Sequence, residues 1–319
     1  MTRVKAKGLF LLPFTLAVTL ATACHQSQRP TSTEVHELTP APGELALPLK
    51  AGSVRFAVIG DSGRGDQAQQ EVANQMIAWR TKFPFDFVVM LGDNIYPPRE
   101  PDDFEKKFEQ PYRALLDAGV TFYASIGNHD PDVELNYAKF NMEGRRYYTF
   151  RKNERRVQGL AGAGVRFFVL DSRAFDPTQL AWLEQELKAS KTDWKICYFH
   201  HPIYTSGRYQ TSARVLRLAL EPILIGGDVD VVLSGHEHFY ERIHPQHGIA
   251  YFISGGAGSL RKGDISRDSP ILARGFDADF HFVLMEVSGD TLYFQAISRT
   301  GATVDAGSIT RTARPPSQP

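Results

Sequence analysis

Five short polar motifs carry residue types that bind metal ions, and each motif follows a short apolar run. The runs cover residues 54–59, 87–91, 121–126, 194–199 and 229–234. The candidate ligands in the motifs are Asp61, Asp93, Tyr96, Asn128, His200, His236 and His238. Carboxylate, amide and imidazole groups in this mixture suit a pair of borderline-hard transition metals. Two adjacent metals hydrolyse phosphoesters in many enzymes, so the sequence predicts a dinuclear site with that chemistry.

The apolar runs before these motifs predict β-strands, because they are short and rich in β-branched and aromatic residues. Strands of this composition are usually buried on both faces of a sheet. In open α/β sheets, ligands bind beyond the carboxyl ends of the strands, which is where the five motifs stand. Gly60, Gly92, Gly127 and Gly235 each come directly before a candidate ligand. Glycine lets the chain turn sharply and lets the backbone approach an ion closely.

The remaining elements alternate between helices and strands at first and form hairpins later. Apolar spacing predicts helices over 66–82, 104–116, 178–189 and 212–225. We expect Pro111 to break the second helix, and Asp176 or Thr178 to cap the third. Further strands are predicted over 147–150, 165–170, 249–254, 280–287 and 291–297. This order predicts an α/β fold, a two-sheet β-sandwich flanked by helices.

Residues 1–24 predict an export signal, with a basic start and an apolar run too short to span a bilayer comfortably. Small residues before Cys24 resemble the lipobox of bacterial lipoproteins, which implies a lipid on Cys24 and attachment to a membrane surface. An ordinary signal cut near Ala23 is the alternative. The predicted location is therefore outside the cytoplasm, as a bacterial membrane-anchored lipoprotein or as a periplasmic or secreted protein.

Three segments are expected after the signal. Residues 25–50 are polar and rich in proline, which predicts a flexible tether. Residues 51–310 are predicted to form the folded domain with the five motifs. Residues 311–319 are predicted to form a disordered tail. The 36 basic and 36 acidic residues balance, which argues against a nucleic-acid partner bound through general phosphate attraction. Cys197 is the only cysteine of the predicted domain, so that domain contains no internal disulfide, and we expect Cys197 in the core.

Two motifs resemble those of a known family. Residues 93–96 read Asp-Asn-Ile-Tyr and residues 235–242 read Gly-His-Glu-His-Phe-Tyr-Glu-Arg. From about residue 54 to residue 297, the chain resembles the calcineurin-like metallophosphoesterases and, within them, the purple acid phosphatases. The resemblance implies a β-sandwich flanked by helices, with a dinuclear metal site at one edge.

The resemblance also implies which residue holds which metal. The first metal would take Asp61, Asp93, Tyr96 and His238, and the second would take Asp93, Asn128, His200 and His236. Asp93 would bridge the two ions. The family implies iron(III) in the first position and iron, zinc or manganese in the second. The hardness of the ligands agrees with this metal assignment. A phenolate with carboxylates favours a trivalent ion, and the softer second ligand set favours a divalent ion.

Two further histidines are candidate catalytic residues. In the family, the position of His129 faces the substrate phosphate and donates a proton to the leaving oxygen; a hydrogen-bonding role behind the metals is the alternative. His201 occupies the variable position of the family's His-x-Pro pattern, and a direct role toward substrate is one interpretation. The family usually has another histidine nine or ten residues after the His200 position, where this chain has Tyr209 and Gln210. We expect Arg208 or His201 to replace it.

Other motifs have plainer interpretations. Asp171 matches no ligand position and is expected to cap a helix, whereas Asn94 could hydrogen-bond phosphate. Glu241 and Arg242 predict a structural ion pair. The glycine-rich segment 254–258 predicts a tight turn near the site. It is not expected to be a phosphate-binding loop, because it lacks the Lys-Ser/Thr ending and the following helix of such loops.

The function predicted from these residues is phosphomonoester hydrolysis by an acid phosphatase, with a metal-activated hydroxide as nucleophile and a small-molecule phosphoester as substrate. Two alternatives remain open. One is a phosphodiesterase or nucleotidase on the same scaffold, because substrate choice lies in surrounding loops. The other is a non-catalytic, lipid-tethered binding protein.

Overall fold

Sixteen strands and four α-helices form the part of the chain that this computed structural model describes, residues 34–153, 156–157, 160–161, 164–190 and 193–311. The strands are β1 (Glu34–Glu37), β2 (Val54–Ile59), β3 (Phe87–Met90), β4 (Thr121–Ala124), β5 (Tyr148–Lys152), β6 (Arg156–Val157), β7 (Leu160–Ala161), β8 (Val165–Val169), β9 (Trp194–Phe199), β10 (Val231–Ser234), β11 (Tyr240–Gln246), β12 (Ile249–Ser254), β13 (Leu272–Phe276), β14 (His281–Ser288), β15 (Thr291–Ser298) and β16 (Thr303–Thr310). The α-helices are α1 (Gln67–Arg80), α2 (Gln110–Asp117), α3 (Pro177–Ala189) and α4 (Gln210–Gly226). Short 3₁₀ turns cover Asp132–Asn136 and Ala138–Phe140.

Fourteen of these strands form two seven-stranded mixed sheets. The first sheet has the order β1-β16-β15-β14-β2-β3-β4, and the second has the order β13-β11-β12-β10-β9-β8-β5. Strands β2, β3 and β4 run parallel in the first sheet, and β8, β9, β10 and β12 run parallel in the second. The predicted two-sheet fold is therefore confirmed. All five polar motifs follow parallel strands, at their carboxyl ends.

Alternating side chains explain how the sheets pack. In β9, Ile196 and Tyr198 belong to the main core, whereas Cys197 and Phe199 belong to a second apolar cluster with Leu183 of α3 and residues of α4. Successive side chains of a strand point to opposite faces, so one face meets the other sheet and the other face meets helices. The predicted core position of Cys197 is confirmed.

Aromatic side chains join the two sheets across the main core. Phe167 of the second sheet packs edge-on against Phe56 and Phe87 of the first, with ring centroids 5.3 Å and 5.5 Å apart. Phe252 and Phe294 make a similar contact at 5.0 Å. Such pairs add about 0.5–1.5 kcal/mol beyond the area that they bury, and they fix the distance between the two rows of loops.

The helix over 104–116 differs from its prediction. Pro111 does not break it: a π-helical turn, Glu105–Glu109, continues directly into α2, and Pro111 lies in the first turn of α2. The π-helical turn thus precedes the proline within one continuous helix, at the place where the ring and the missing N–H of a proline disturb regular α-helical hydrogen bonds. The predicted cap of α3 is confirmed for Asp176, whose carboxylate accepts the N–H of Gln179 at 2.9 Å.

Six strands escaped prediction, namely β1, β6, β7, β11, β13 and β16. In β11 the charged residues Glu241 and Arg242 hid the pattern, although both are buried. Neighbouring strand residues point to opposite faces, so the ion pair predicted between them is wrong. Arg242 instead pairs with Asp305 at 2.7 Å and with Glu37 at 2.7 Å.

Residues 34–50 are attached to the first sheet and do not form the predicted flexible tether. Strand β1 pairs antiparallel with β16. Farther along, buried Gln295 accepts the N–H of Ala46 at 2.9 Å and donates to the carbonyl of Glu44 at 2.9 Å. Buried Glu286 accepts the N–H groups of Leu49 and Lys50. A segment held at this many backbone positions is part of the folded unit.

The ends of the chain are described only in part. Residues 1–33, which include Cys24, and residues 312–319 lie outside the described residues. Arg311, the first residue of the predicted disordered tail, pairs with Asp290 at 2.9 Å and lies over the Trp194 ring. Within the described residues, no helix has the length and apolar character needed to cross a membrane.

Replacing Gln295 with Met tests the attachment of residues 34–50. The change keeps side-chain volume but leaves the half-buried Ala46 N–H and the Glu44 carbonyl without this partner, so the free energy of unfolding should fall by about 1–2 kcal/mol. Denaturant titration measures the loss. Exposed Gln110→Met serves as the control and should be nearly neutral; an equally neutral Gln295→Met would mean that this segment is not held in solution.

Candidate metal centre

The first group of candidate ligands converges from three loops. The hydroxyl of Tyr96, after β3, donates to Oδ1 of Asp61, after β2, at 3.0 Å. Nε2 of His238, after β10, lies 3.1 Å from that hydroxyl and 3.2 Å from Asp61 Oδ1. Three possible ligand atoms therefore surround one point, as a bound cation requires. Asp61, Asp93 and His238 together present ligand atoms within 4.8 Å of one another.

The second group lies around Nε2 of His200, after β9. This atom is 3.4 Å from Asp93 Oδ2, 3.0 Å from Asn128 Oδ1 and 3.2 Å from His236 Nδ1. Asp93 thus belongs to both groups, as a bridging ligand must. The structure brings all seven predicted ligand residues together in two adjacent groups, and the donor chemistry fits one metal in each.

Hydrogen bonds from the backbone orient the ligands. Nδ1 of His200 lies 2.9 Å from the carbonyl oxygen of Leu91, so Nδ1 carries a proton and Nε2 is left to face a metal. The N–H of His236 donates to Asp61 Oδ2 at 2.8 Å, and the N–H of His129 donates to Asp93 Oδ1 at 2.9 Å. Each carboxylate is therefore fixed by a neighbouring loop before any ion binds.

Three candidate ligands occupy the left-handed backbone region, which non-glycine residues rarely adopt. The φ angles are 55° for Asp61, 52° for Asp93 and 68° for His236. This conformation costs about 1–2 kcal/mol per residue, and such strain concentrates at functional sites. It turns each chain sharply off its strand. The predicted glycine turn is confirmed before Asp93, where Gly92 has a φ of 86°; Asp61 and His236 themselves take the left-handed conformation after Gly60 and Gly235.

The glycines also allow the loops to pack closely against the carboxylate ligands. A Cβ on Gly127 would lie 2.2 Å from Asp93 Oδ1, and one on Gly235 would lie 2.6 Å from Asp61 Oδ2. A Cβ on Gly255, in the glycine-rich segment 254–258, would lie 2.7 Å from the same Asp61 oxygen. The predicted location of this segment, near the site, is therefore confirmed. Only residues without a side chain allow the loops to approach the two carboxylates this closely.

The electrostatics of the two groups favour positive charge. Burial opposes protonation of His200, yet Asp93 and Asp61 outweigh it and raise the pKa of His200 to about 10. Burial likewise works to raise the pKa of Asp93, but His200 and the His129 N–H bring it below its usual value. Burial, Asp61 and Asp93 raise the pKa of Tyr96. The two buried carboxylates thus favour positive charge at the place expected for a metal.

His129 and His201 both border the groups. The half-buried His129 ring lies against Tyr96, with centroids 4.8 Å apart. The His201 ring lies 4.4 Å from that of His236, and its Nδ1 is 2.9 Å from the hydroxyl oxygen of Ser172. Burial, followed by the charge of His200, lowers the pKa of His201 to about 3. Both rings therefore lie directly beside candidate metal ligands.

The loop after β8 was not predicted to belong to the site. It forms hydrogen bonds to the loops after β9 and β4. Asp171 follows β8, and it does not cap a helix as predicted. Its buried carboxylate binds Arg173 and Arg146. Ser172 also accepts the His201 N–H at 2.9 Å, and Arg173 donates to the Asp130 carbonyl at 3.3 Å. The signal available in the sequence was the position of Asp-Ser-Arg after a strand, at the same edge as the five motifs.

Asn94 does not face the candidate phosphate position. It is buried, and its side-chain amide donates to Asp130 Oδ2 at 2.9 Å and to the Ser125 carbonyl at 2.9 Å. Asp130 also accepts the N–H of Gly127 at 2.8 Å, and burial together with Asp93 raises its pKa to about 7. The predicted role of Asn94 is therefore replaced by a structural one, in which it ties the β3 and β4 loops together.

Tyr209, at the position where the family has an additional histidine, covers a candidate ligand. Its ring lies 4.2 Å from that of His236, and the Arg261 guanidinium lies 5.4 Å from the Tyr209 centroid. Arg208 instead pairs with Asp264 at 2.6 Å. Tyr209 and Arg261, rather than Arg208, therefore lie next to the second group.

Comparison with known proteins agrees with this geometry. A family model described as Calcineurin-like phosphoesterase matches residues 54–240. The chain belongs to this family. Purple acid phosphatase 17 of Arabidopsis thaliana is 30% identical over 247 residues, which cover 67% of this chain and 71% of that protein. The predicted enzyme class, a hydrolase of phosphoester bonds, and the purple acid phosphatase-like branch are confirmed.

Two solved structures support the fold. GAP50, the anchor in the inner membrane complex of Plasmodium, matches with a TM-score of 0.70 at 20% identity and covers 82% of this chain and 90% of its own. Purple acid phosphatase PPD1 from yellow lupin (Lupinus luteus) seeds matches with a TM-score of 0.64 at 17% identity, over 85% of this chain and 55% of the longer lupin chain. These identities are low, so the two structures show a shared architecture.

Asp93→Asn tests the shared ligand. Removing one charge from the residue common to both groups should reduce bound metal from about two ions to less than one per chain and lower phosphoesterase activity at least a hundredfold, roughly. Elemental analysis and a melting curve, with and without added metal, measure the effect, because a bound ion stabilises the folded state. Asp102→Asn, which removes an exposed acid paired with Lys106, is the control. Activity retained with one metal lost would show that Asp93 does not bridge.

Proposed function

We propose that this member of the calcineurin-like phosphoesterase family is an acid phosphatase that hydrolyses phosphomonoesters at a dinuclear metal centre. The observation that carries the proposal is the convergence of seven ligand residues on two adjacent points, with Asp93 common to both. A fold alone would not support an activity, but a complete ligand set on that fold does.

The donor sets favour different ions. The first group contains a phenol and two carboxylates, which suits iron(III), and the second contains two imidazoles and an amide, which suits divalent iron, zinc or manganese. Two bound cations would neutralise the charge on the phosphate and lower the pKa of a water molecule. Hydroxide would then be available in mild acid, so an acidic or near-neutral optimum is part of the proposal.

Residues of the chain itself provide orientation and proton transfer. His129 is fixed by its N–H bond to Asp93 and by contact with Tyr96, and its ring is the proposed donor of a proton to the leaving alcohol. His201 is held through Nδ1 by Ser172, which leaves Nε2 for a phosphate oxygen or for the leaving group. The His129 ring contacts Tyr96 of the first group and the His201 ring contacts His236 of the second, so the two histidines border the centre at different groups.

The alternatives differ in what they would hydrolyse. A phosphodiesterase or nucleotidase would have the same ligands and differ in the loops. A non-catalytic binding protein on this fold would need no complete ligand set, and here none of the seven residues is missing.

Substrate turnover and a spectrum test this proposal together. Protein purified without chelator should hydrolyse para-nitrophenyl phosphate at least about tenfold faster than the bis-para-nitrophenyl diester or a nucleotide. It should contain about one iron per chain and show a visible phenolate-to-iron band, which Tyr96→Phe removes. A colourless zinc or manganese protein would exclude the iron assignment, diester preference would favour the phosphodiesterase, and absence of both metal and turnover would favour the binding protein.

We also propose that the protein is exported and attached to a membrane surface through a lipid on Cys24, an assignment supported by the sequence of residues 1–24. Cys24→Ser should move the protein from the membrane fraction of cells to the soluble fraction and abolish incorporation of labelled fatty acid. Unchanged fractionation with no label in the wild type would favour simple signal cleavage.

A further inference from the structure

We propose that three arginines around the metal centre bind a second phosphate group of the substrate, so that phosphomonoesters with another phosphate on the leaving alcohol are preferred. This inference rests on the proposed function. The three residues, here called the arginine rim, are Arg64, Arg99 and Arg261, and each contacts a residue of the centre.

Arg64 belongs to the loop after β2 and lies beside the first group. Its guanidinium carbon is 3.6 Å from the centroid of the Tyr96 ring, and its Nε donates to the buried Ser259 at 2.9 Å. Arg64 is exposed. A guanidinium held flat on an aromatic ring has fewer conformations to lose on binding. Its remaining N–H groups are therefore oriented in advance at the entrance to the first group.

Arg261 lies beside the second group. It donates to the carbonyl of His236 at 3.3 Å and lies over Tyr209. Tyr209 in turn covers the His236 ring. The tyrosine that replaces the family's additional histidine thus supports a positive charge at the same position, and this charge has no proton to donate at neutral pH. The rim therefore recognises anions and does not serve as an acid.

Arg99 completes the rim beside the candidate proton donor. Its guanidinium donates to the carbonyl of His129, and the side chain is exposed. Because His129 packs on the Tyr96 ring, Arg99 and Arg64 contact two residues that are neighbours in space. A leaving alcohol that accepts a proton from His129 would place its own substituents near these two arginines.

The rim is distinguished from other arginines by its lack of acidic partners. Among the residues that the structure describes, no carboxylate forms an ion pair with Arg64, Arg99 or Arg261. Nearby arginines do have such partners, since Arg208 pairs with Asp264 and Arg173 pairs with Asp171. Each guanidinium has five N–H donors, and each rim arginine has one hydrogen bond from these donors within the described part of the chain.

A second phosphate fits this arrangement by charge and by shape. Formal charges of the whole chain cancel, so three unpaired cations near one site are a local concentration and not a general excess. The scissile phosphate would be neutralised by the metals, which leaves the rim available for another anion. Guanidinium groups bind phosphate oxygens in pairs, and a phosphate offers enough oxygens and charge for more than one arginine.

The test compares a hexose monophosphate with a bisphosphate of the same sugar, both hydrolysed by the metal-loaded full chain at low salt. The wild type should show a kcat/KM about tenfold higher for the bisphosphate. The advantage should shrink as salt increases. In the triple variant Arg64→Gln, Arg99→Gln and Arg261→Gln, the advantage should disappear, because kcat/KM for the bisphosphate falls about tenfold more than kcat/KM for the monophosphate. Arg208→Gln, which removes an arginine already paired with Asp264, should keep the advantage.

Several outcomes would overturn the inference. They are a triple variant that keeps the bisphosphate preference, an equal loss on both substrates, or an equal gain from a phosphorylated hydroxy acid whose second anion is a carboxylate. Circular dichroism and metal content of the triple variant exclude loss of fold as the cause. Failure of the proposed function is a separate result, because the wild type would then hydrolyse neither sugar phosphate nor para-nitrophenyl phosphate.

Discussion

Two buried carboxylates determine the design of this protein. Asp61 and Asp93 have 0% and 1% exposed surface and lie among polar side chains at the edge of a large apolar core. A buried anion is costly unless positive charge accompanies it. The candidate ligands around the two carboxylates are arranged so that metal cations can provide this charge. Backbone N–H groups of the surrounding loops hold the two carboxylates in place, although the carboxylates repel each other and would be better solvated in water.

Parallel strands in both sheets make this possible. Because β2, β3 and β4 end at the same edge as β9 and β10, loops from the two sheets meet across the top of the sandwich. Left-handed backbone at Asp61, Asp93 and His236 turns the side chains inward, and the packed aromatic core fixes the distance between the sheets. The cost of the unusual backbone, about 1–2 kcal/mol per residue, is small compared with the stability of a core of this size.

A layer of hydrogen bonds behind the ligands joins the loops. Asp130 binds Asn94 and Gly127 in the first sheet's loops. Arg173 crosses from Asp171, after β8 of the second sheet, to the Asp130 carbonyl, after β4 of the first. Ligand positions are therefore coupled across the sandwich, and a change at the β8 loop reaches both His201 and the His129 loop. Function then depends on residues that touch neither metal nor substrate.

The sequence by itself determined the fold class, the family and the candidate ligands, because each depends on local patterns. A short apolar run predicts a buried strand, a polar residue after it predicts a loop at the sheet edge, and repetition of that pattern predicts a shared site. The same reasoning failed where partners are distant in sequence. Residues 34–50 looked like a tether because only Gln295, Glu286 and β16, far along the chain, show what they bind.

Tertiary structure alone decided how the ligands are oriented and what surrounds them. Asn94 lies behind the site, and Asp171 forms ion pairs with two arginines. Arg208 forms an ion pair with Asp264, whereas no arginine of the arginine rim forms an ion pair among the described residues. No local pattern contains this information. Whether a charged side chain is paired depends on which distant groups the fold brings within about 4 Å, and that is a property of the packed chain and not of its spacing.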